Sequence, residues 1–201
     1  MSATSAAKTS GTRQSILDAG YLTMATKGFS AVGLNEILSA AAVPKGSFYN
    51  YFSSKEAYGK ALLDDYFDNY LAEMTTLFAR QDLTVPQRLQ EYFRRWQNNQ
   101  SFENGQGKCL AVKLGAEVAD LSEAMRESLK RGTAGIIRLL SGVIKEGVQD
   151  GSLQPEGEPD IMAQSLYQLW LGSSVMVKIT RDTQPFDTAM TTTRHLLHMT
   201  V

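Results

Sequence analysis

The sequence predicts an all-α fold, and three observations carry that prediction. Apolar residues recur every three or four positions, Pro and Gly fall at the edges of those runs, and no alternating strand pattern or Asn-Gly hairpin interrupts them. A chain of 201 residues with 43% hydrophobic and 20% charged content can bury a sizeable core. That balance excludes disorder, collagen-like repeats and a disulfide scaffold.

In chain order, Met1–Thr12 is rich in Ser, Thr and Ala and reads as a frayed tail without the apolar run of a secretory signal. From Thr12 to Lys27 the residues Ile16, Leu17, Gly20, Tyr21, Met24 and Ala25 share one helical face, and Gly28 supplies the stop. Leu34, Ile37, Leu38 and Ala41 repeat at i, i+3, i+4 and i+7. That pattern halts at Ala42-Val43-Pro44, because proline disfavours helical geometry in the residue before it. Pro44 is then expected as the first residue of a short helix reaching about Tyr51. Ser53-x-x-Glu56 has the form of a capping box opening a long helix through Leu62, Tyr66, Tyr70 and Met74 to about Arg80. Pro86 precedes Leu89, Tyr92, Phe93 and Trp96; Asp120-Leu-Ser-Glu123 precedes a helix ending at Gly151; Pro159 and Pro185 start the last two.

Two short helices joined by a tight turn behind a preceding helix describe a helix-turn-helix, whose second helix enters the DNA major groove. Charge agrees. The formal net charge is −1, but residues 1–60 hold six Lys/Arg against three acids, a net +3, and the remainder carries −4. Lys45 is the candidate for a guanine edge. Gly46 lets the backbone approach the duplex, and Ser47, Tyr49 and Asn50 are placed for phosphates or nearby bases. Lys55, at the start of the long helix, is expected at the DNA backbone, and Phe48 and Phe52 face the small core.

The stretch Ala42-Val-Pro-Lys-Gly-Ser-Phe-Tyr-Asn-Tyr-Phe-Ser-Ser-Lys-Glu56 resembles the recognition-helix signature of the TetR family of bacterial repressors. The resemblance implies a three-helix DNA-binding domain, set here at residues 1–54, and a helical inducer-sensing and dimerisation domain at 55–201. It further implies double-stranded operator DNA as partner and a homodimer formed by the last two long helices.

Asn104-Gly-Gln-Gly-Lys-Cys109 feeds a helix from Cys109 to about Val118. It is not a phosphate loop: a Walker A pattern needs glycine at 102, which is Phe, and Ser or Thr after Lys108. It does place the single cysteine at a helix start beside Lys108, where partial positive charge favours thiolate. The alternative is a small buried hydrophobe. Gly107–Arg126 and Leu169–Arg181 also resemble the N-ethylmaleimide-responsive members of the TetR family. That likeness implies that Cys109 senses electrophiles and oxidants, including quinones, maleimides, reactive aldehydes and hypochlorite. It implies Lys178 as the partner in a reversible bridge, with DNA release following through the long helix, and a target operon for a flavin reductase or aldehyde-detoxifying enzyme. Tyr70, Trp96 and Trp170 are the aromatics chosen for the sensing pocket. The competing expectation within the family is a noncovalent aromatic or cationic inducer with a structural cysteine.

Catalysis is not expected, because a nucleophile needs a neighbouring base and His195 and His198 are the only histidines. One cysteine and a His-x-x-His pair fall short of a four-ligand zinc site, and no cofactor motif is present. A lone thiol fits the reducing cytoplasm, and Leu166–Val177, the most apolar stretch, is too short to span a bilayer. Ile161–Val177 is apolar almost all round, as expected of a helix buried on both sides, and Gly172, Ser173 and Ser174 would admit a partner helix.

Overall fold

The computed structural model describes residues 3–100 and 109–199. Among the described residues the regular elements are helical: α1 Ala3–Lys27, α2 Leu34–Ala40, α3 Lys45–Phe48, α4 Lys55–Phe78, α5 Val85–Gln100, α6 Leu110–Leu121, α7 Glu123–Gln149, α8 Pro159–Thr180 and α9 Gln184–Leu196. α1 begins well before Thr12, in keeping with the high helix propensity of its alanines. None of these helices is long and apolar enough to cross a membrane.

Two compact units divide the chain: Met1–Asp68 with Lys108–Lys130, and Asn69–Gly107 with Arg131–Val201. The first contains the helix-turn-helix, but it extends past residue 54 and takes in α6, which packs on α1.

In the first unit Ile16, Leu17, Ile37, Phe48 and Tyr58 are wholly buried. Burial of each such side chain contributes on the order of 1.5–3 kcal/mol. The buried Tyr58 hydroxyl donates to the Ile16 carbonyl at 2.9 Å. α1 stops at Gly28, whose φ of +93° is the left-handed geometry glycine tolerates. α2 ends in a Schellman motif, with Val43 N donating to Leu38 O at 3.0 Å and Ala42 in the left-handed slot at φ 54°.

Three local expectations are corrected here. Pro44 is the N-cap of α3 rather than its first residue, at φ −61° and ψ 145°. α3 closes at Phe48 and continues to Tyr51 only as turns, since Tyr51 N and Phe52 N both return to the Phe48 carbonyl. The long helix is capped by Ser54, not Ser53: Ala57 N donates to Ser54 Oγ at 3.0 Å. Glu56 is thereby released from the capping box and accepts the Ser122 hydroxyl, while Ser122 Oγ itself caps α7 by accepting Met125 N at 3.3 Å.

In the second unit α5 opens on a reciprocal box, with Thr84 N donating to Gln87 Oε1 at 2.9 Å and Gln87 N to Thr84 Oγ1 at 3.4 Å. The buried Arg88 guanidinium donates to the Phe78 carbonyl and forms a fork with the Glu146 carboxylate at 2.6 and 3.1 Å. α8 packs on α9. Trp170, wholly buried, stacks between Phe93 and Phe186 at 4.6 and 5.8 Å, and its indole N–H donates to Thr193 Oγ1 at 2.9 Å. Within one chain α8 is covered on a single face. Ile161, Val175, Met176 and Ile179 remain 43–68% exposed along the same stripe.

Candidate DNA interface and sensing site

The surface of α3 is set by what lies beneath it. Phe48 and Phe52 are buried and meet Tyr58 with ring centroids 5.5 and 5.0 Å away, which fixes α3 on the unit's core. Lys45, Gly46, Tyr49 and Asn50 are consequently exposed and Ser47 is half-buried. The Tyr49 ring stands at 84° to that of Phe48, which supports it, while the residue stays 54% exposed. A Cβ added to Gly46 would meet nothing within 4 Å, so no neighbour in the chain itself demands glycine there.

Lys55 is placed differently. Its ammonium donates to the Phe29 carbonyl at 2.7 Å and lies over the Phe29 ring at 4.6 Å. Burial pulls its pKa down and the Glu117 carboxylate opposes that pull. Glu117, on α6, accepts the backbone N–H of Phe29 at 3.1 Å and of Ser30 at 2.7 Å. Burial pushes its carboxyl up, but the hydrogen bonds from Ser30 and Phe29, helped by the Lys113 charge, outweigh it and hold the group below the usual carboxylate range. Sequence reasoning did not find Glu117, because a single acid on an amphipathic helix carries no mark of a partner 88 residues away.

Cys109 is the N-cap of α6, half-buried, with its carbonyl accepting Lys113 N at 3.1 Å. Phe102, Gly107 and Lys108 lie outside the described residues. Cys109 belongs to the first compact unit and Lys178, half-buried in the last turn of α8, to the second.

Of the chosen aromatics, Tyr70 and Trp96 line a cavity of about 40 Å³ together with Glu73, Met74, Leu77 and Tyr92. The Tyr70 and Tyr92 hydroxyls are 3.2 Å apart, and Trp96 donates to Ser174 Oγ at 2.9 Å. Trp170 sits behind Trp96, with ring centroids 6.2 Å apart. His195 and His198 stack on each other, and both reach Glu156, at 3.8 and 3.5 Å.

A short recognition helix on a buried aromatic core, followed by a larger helical unit, is the arrangement of a one-component regulator, and similarity to known proteins bears this out. The profile of bacterial regulatory proteins of the tetR family matches residues 16–62, and that of the tetracyclin repressor-like C-terminal domain matches residues 85–193. The chain belongs to the TetR family and is a DNA-binding transcriptional repressor, not an enzyme.

Among its relatives, the HTH-type transcriptional repressor NemR of Escherichia coli K12 is 38% identical over 186 residues, covering 92% of this chain and 94% of NemR. The repressor DhaR of a Mycobacterium species is 34% identical, covering 89% of this chain and 88% of its own. The crystal structure of E. coli NemR in its reduced form superposes with a TM-score of 0.88 at 39% identity, covering 93% of this chain and 97% of that one.

Proposed function

We propose that this repressor holds its operator through α3 and the turn after it, and releases it when Cys109 reacts with an electrophile or oxidant. In the DNA half, Lys45 reads a guanine edge, Gly46 admits the duplex to the backbone, and Ser47, Tyr49 and Asn50 contact phosphates or neighbouring bases. The observation that carries this half is the open space around Gly46 beside the exposed Lys45. Two copies place their α3 helices one turn of DNA apart, or a multiple of it. The exposed apolar stripe of α8 supports that helix as the seam.

In the sensing half, Cys109 at the start of α6 is only half-buried, which leaves its sulfur close enough to solvent to be attacked. With a maleimide or quinone, the sulfur adds to the activated double bond: a C–S bond forms, the C=C π bond breaks, and the adjacent carbon takes a proton. With hypochlorite the thiolate accepts chlorine and hydroxide leaves; a lysine amine, Lys178 by family likeness, then displaces chloride and loses a proton to give an S–N bond. The similarity to NemR, whose structure is described as the reduced form, supports this reading.

A noncovalent inducer is the second reading, favoured by the Tyr70 and Trp96 cavity with Glu73 on its wall. Its roughly 40 Å³ holds about one water, whereas small-molecule sites run from about 300 Å³ upward, so that reading requires α4 and α5 to part. Lys45→Ala tests the DNA half: operator retardation in a gel shift is lost while the dimer persists in sedimentation. Undiminished retardation would refute the assignment.

A further inference from the structure

The turn between α1 and α2 is held by side chains from two other elements. Glu117 on α6 accepts both the Phe29 and the Ser30 N–H, and Lys55 on α4 donates to the Phe29 carbonyl. Gly28 makes the arrangement possible twice over: its φ of +93° suits glycine, and a Cβ there would lie 2.9 Å from Glu117 Oε2. The turn leads directly into α2, the first helix of the helix-turn-helix, through Val32 N to Phe29 O at 3.4 Å. Its conformation therefore sets where α2, and α3 packed on it, come to rest.

We propose that Glu117 is a positioning residue for operator binding, holding the α1–α2 turn, and that the helix-turn-helix reads the state of Cys109 through it. The second clause rests on the sensing role proposed above. Cys109 is the N-cap of α6 and Glu117 follows eight residues later on the same helix, about 12 Å along its axis, with no proline between. A rigid helix of this length transmits a displacement at its first residue to its carboxylate end. Two charge-assisted hydrogen bonds to backbone N–H groups lose their geometry within a fraction of that displacement. Lys55 thereby acts inside the clamp and does not count a phosphate.

The test uses the full-length dimer and an operator enriched by the wild-type protein from random duplex DNA. Glu117→Gln is expected to bind at least tenfold more weakly at one fixed salt concentration, with an unchanged salt slope and an intact dimer. The Phe29 and Ser30 amides should exchange at least tenfold faster by NMR while the Leu62 amide is unaffected. Lys55→Met removes the other side of the clamp and should also weaken binding with the salt slope unchanged; a slope lower by about one would make it a phosphate contact. If Glu117→Gln does not fold, Lys55→Met decides alone, with wild-type binding overturning the clamp. For a folded Glu117→Gln protein, affinity within twofold of wild type, or unchanged Phe29 and Ser30 amides, overturns it. N-ethylmaleimide treatment separates the two clauses. If it leaves wild-type binding unchanged, the sensing role fails and Glu117→Gln still judges the clamp. If it weakens wild type and Glu117→Gln by the same factor, sensing stands and the relay through Glu117 is overturned.

Discussion

Gly20 shows how closely single residues determine the DNA-binding unit. A Cβ built there would lie 1.5 Å from the Tyr58 hydroxyl, itself bonded to the Ile16 carbonyl, so α1 can pass α4 at this point only without a side chain. Gly20→Ala must displace a buried ring and its hydrogen bond, and is expected to cost roughly 2–4 kcal/mol in urea unfolding. The residue-level roles differ in how readable they were. Phe48 and Phe52 were legible as core because they fall on the inner side of a short helix, and Lys45 as exposed for the converse reason. Lys55 and Glu117 were not. Both are charged residues on amphipathic helices, and only the folded chain brings them to the Phe29–Ser30 turn. Arg88 was equally hidden, because nothing in a run of arginines and glutamines marks the one whose guanidinium is buried against Phe78 and Glu146.

At the scale of elements, periodicity and punctuation located the helices well, and caps less well. Ser53-x-x-Glu56 satisfied the capping pattern, yet Ser54 took the role, because α4 starts one residue later and Glu56 finds the Ser122 hydroxyl. Thr84-x-x-Gln87 carries the same kind of pattern and does form the box. The difference lies in tertiary competition for the acid, which a four-residue motif cannot register. The α2–α3 turn bears a cost that sequence alone does not reveal: Ala42 occupies the left-handed position where glycine is usual. Ala42→Gly relieves that strain, at a smaller cost in unfolded-chain entropy, and is expected to raise stability by about 0.5 kcal/mol. Calorimetry should show a melting temperature higher by about one degree; a lower one would mean that the turn is not strained.

For the whole molecule, a near-zero net charge conceals a basic first sixty residues and an acidic remainder, the division expected when one end reads DNA and the rest regulates it. The all-α fold and the family were legible, since both reside in periodicity and in a contiguous motif. The partition into compact units was less so, because α6 joins the helix-turn-helix through contacts distant in sequence, and puts Cys109 in the DNA-binding unit. α8, expected to be buried on both sides, is covered on one side by its own chain and leaves the other open, with Ile161 and Ile179 at 66% and 68% exposure. Control of operator binding by Cys109 is measured directly as operator release by wild type and Cys109→Ser after treatment with maleimide, quinone or hypochlorite. Wild type is expected to release DNA, with an adduct or a loss of two hydrogens in the intact mass, and Cys109→Ser to stay bound. Release of the operator by the treated serine variant would mean that Cys109 does not control binding.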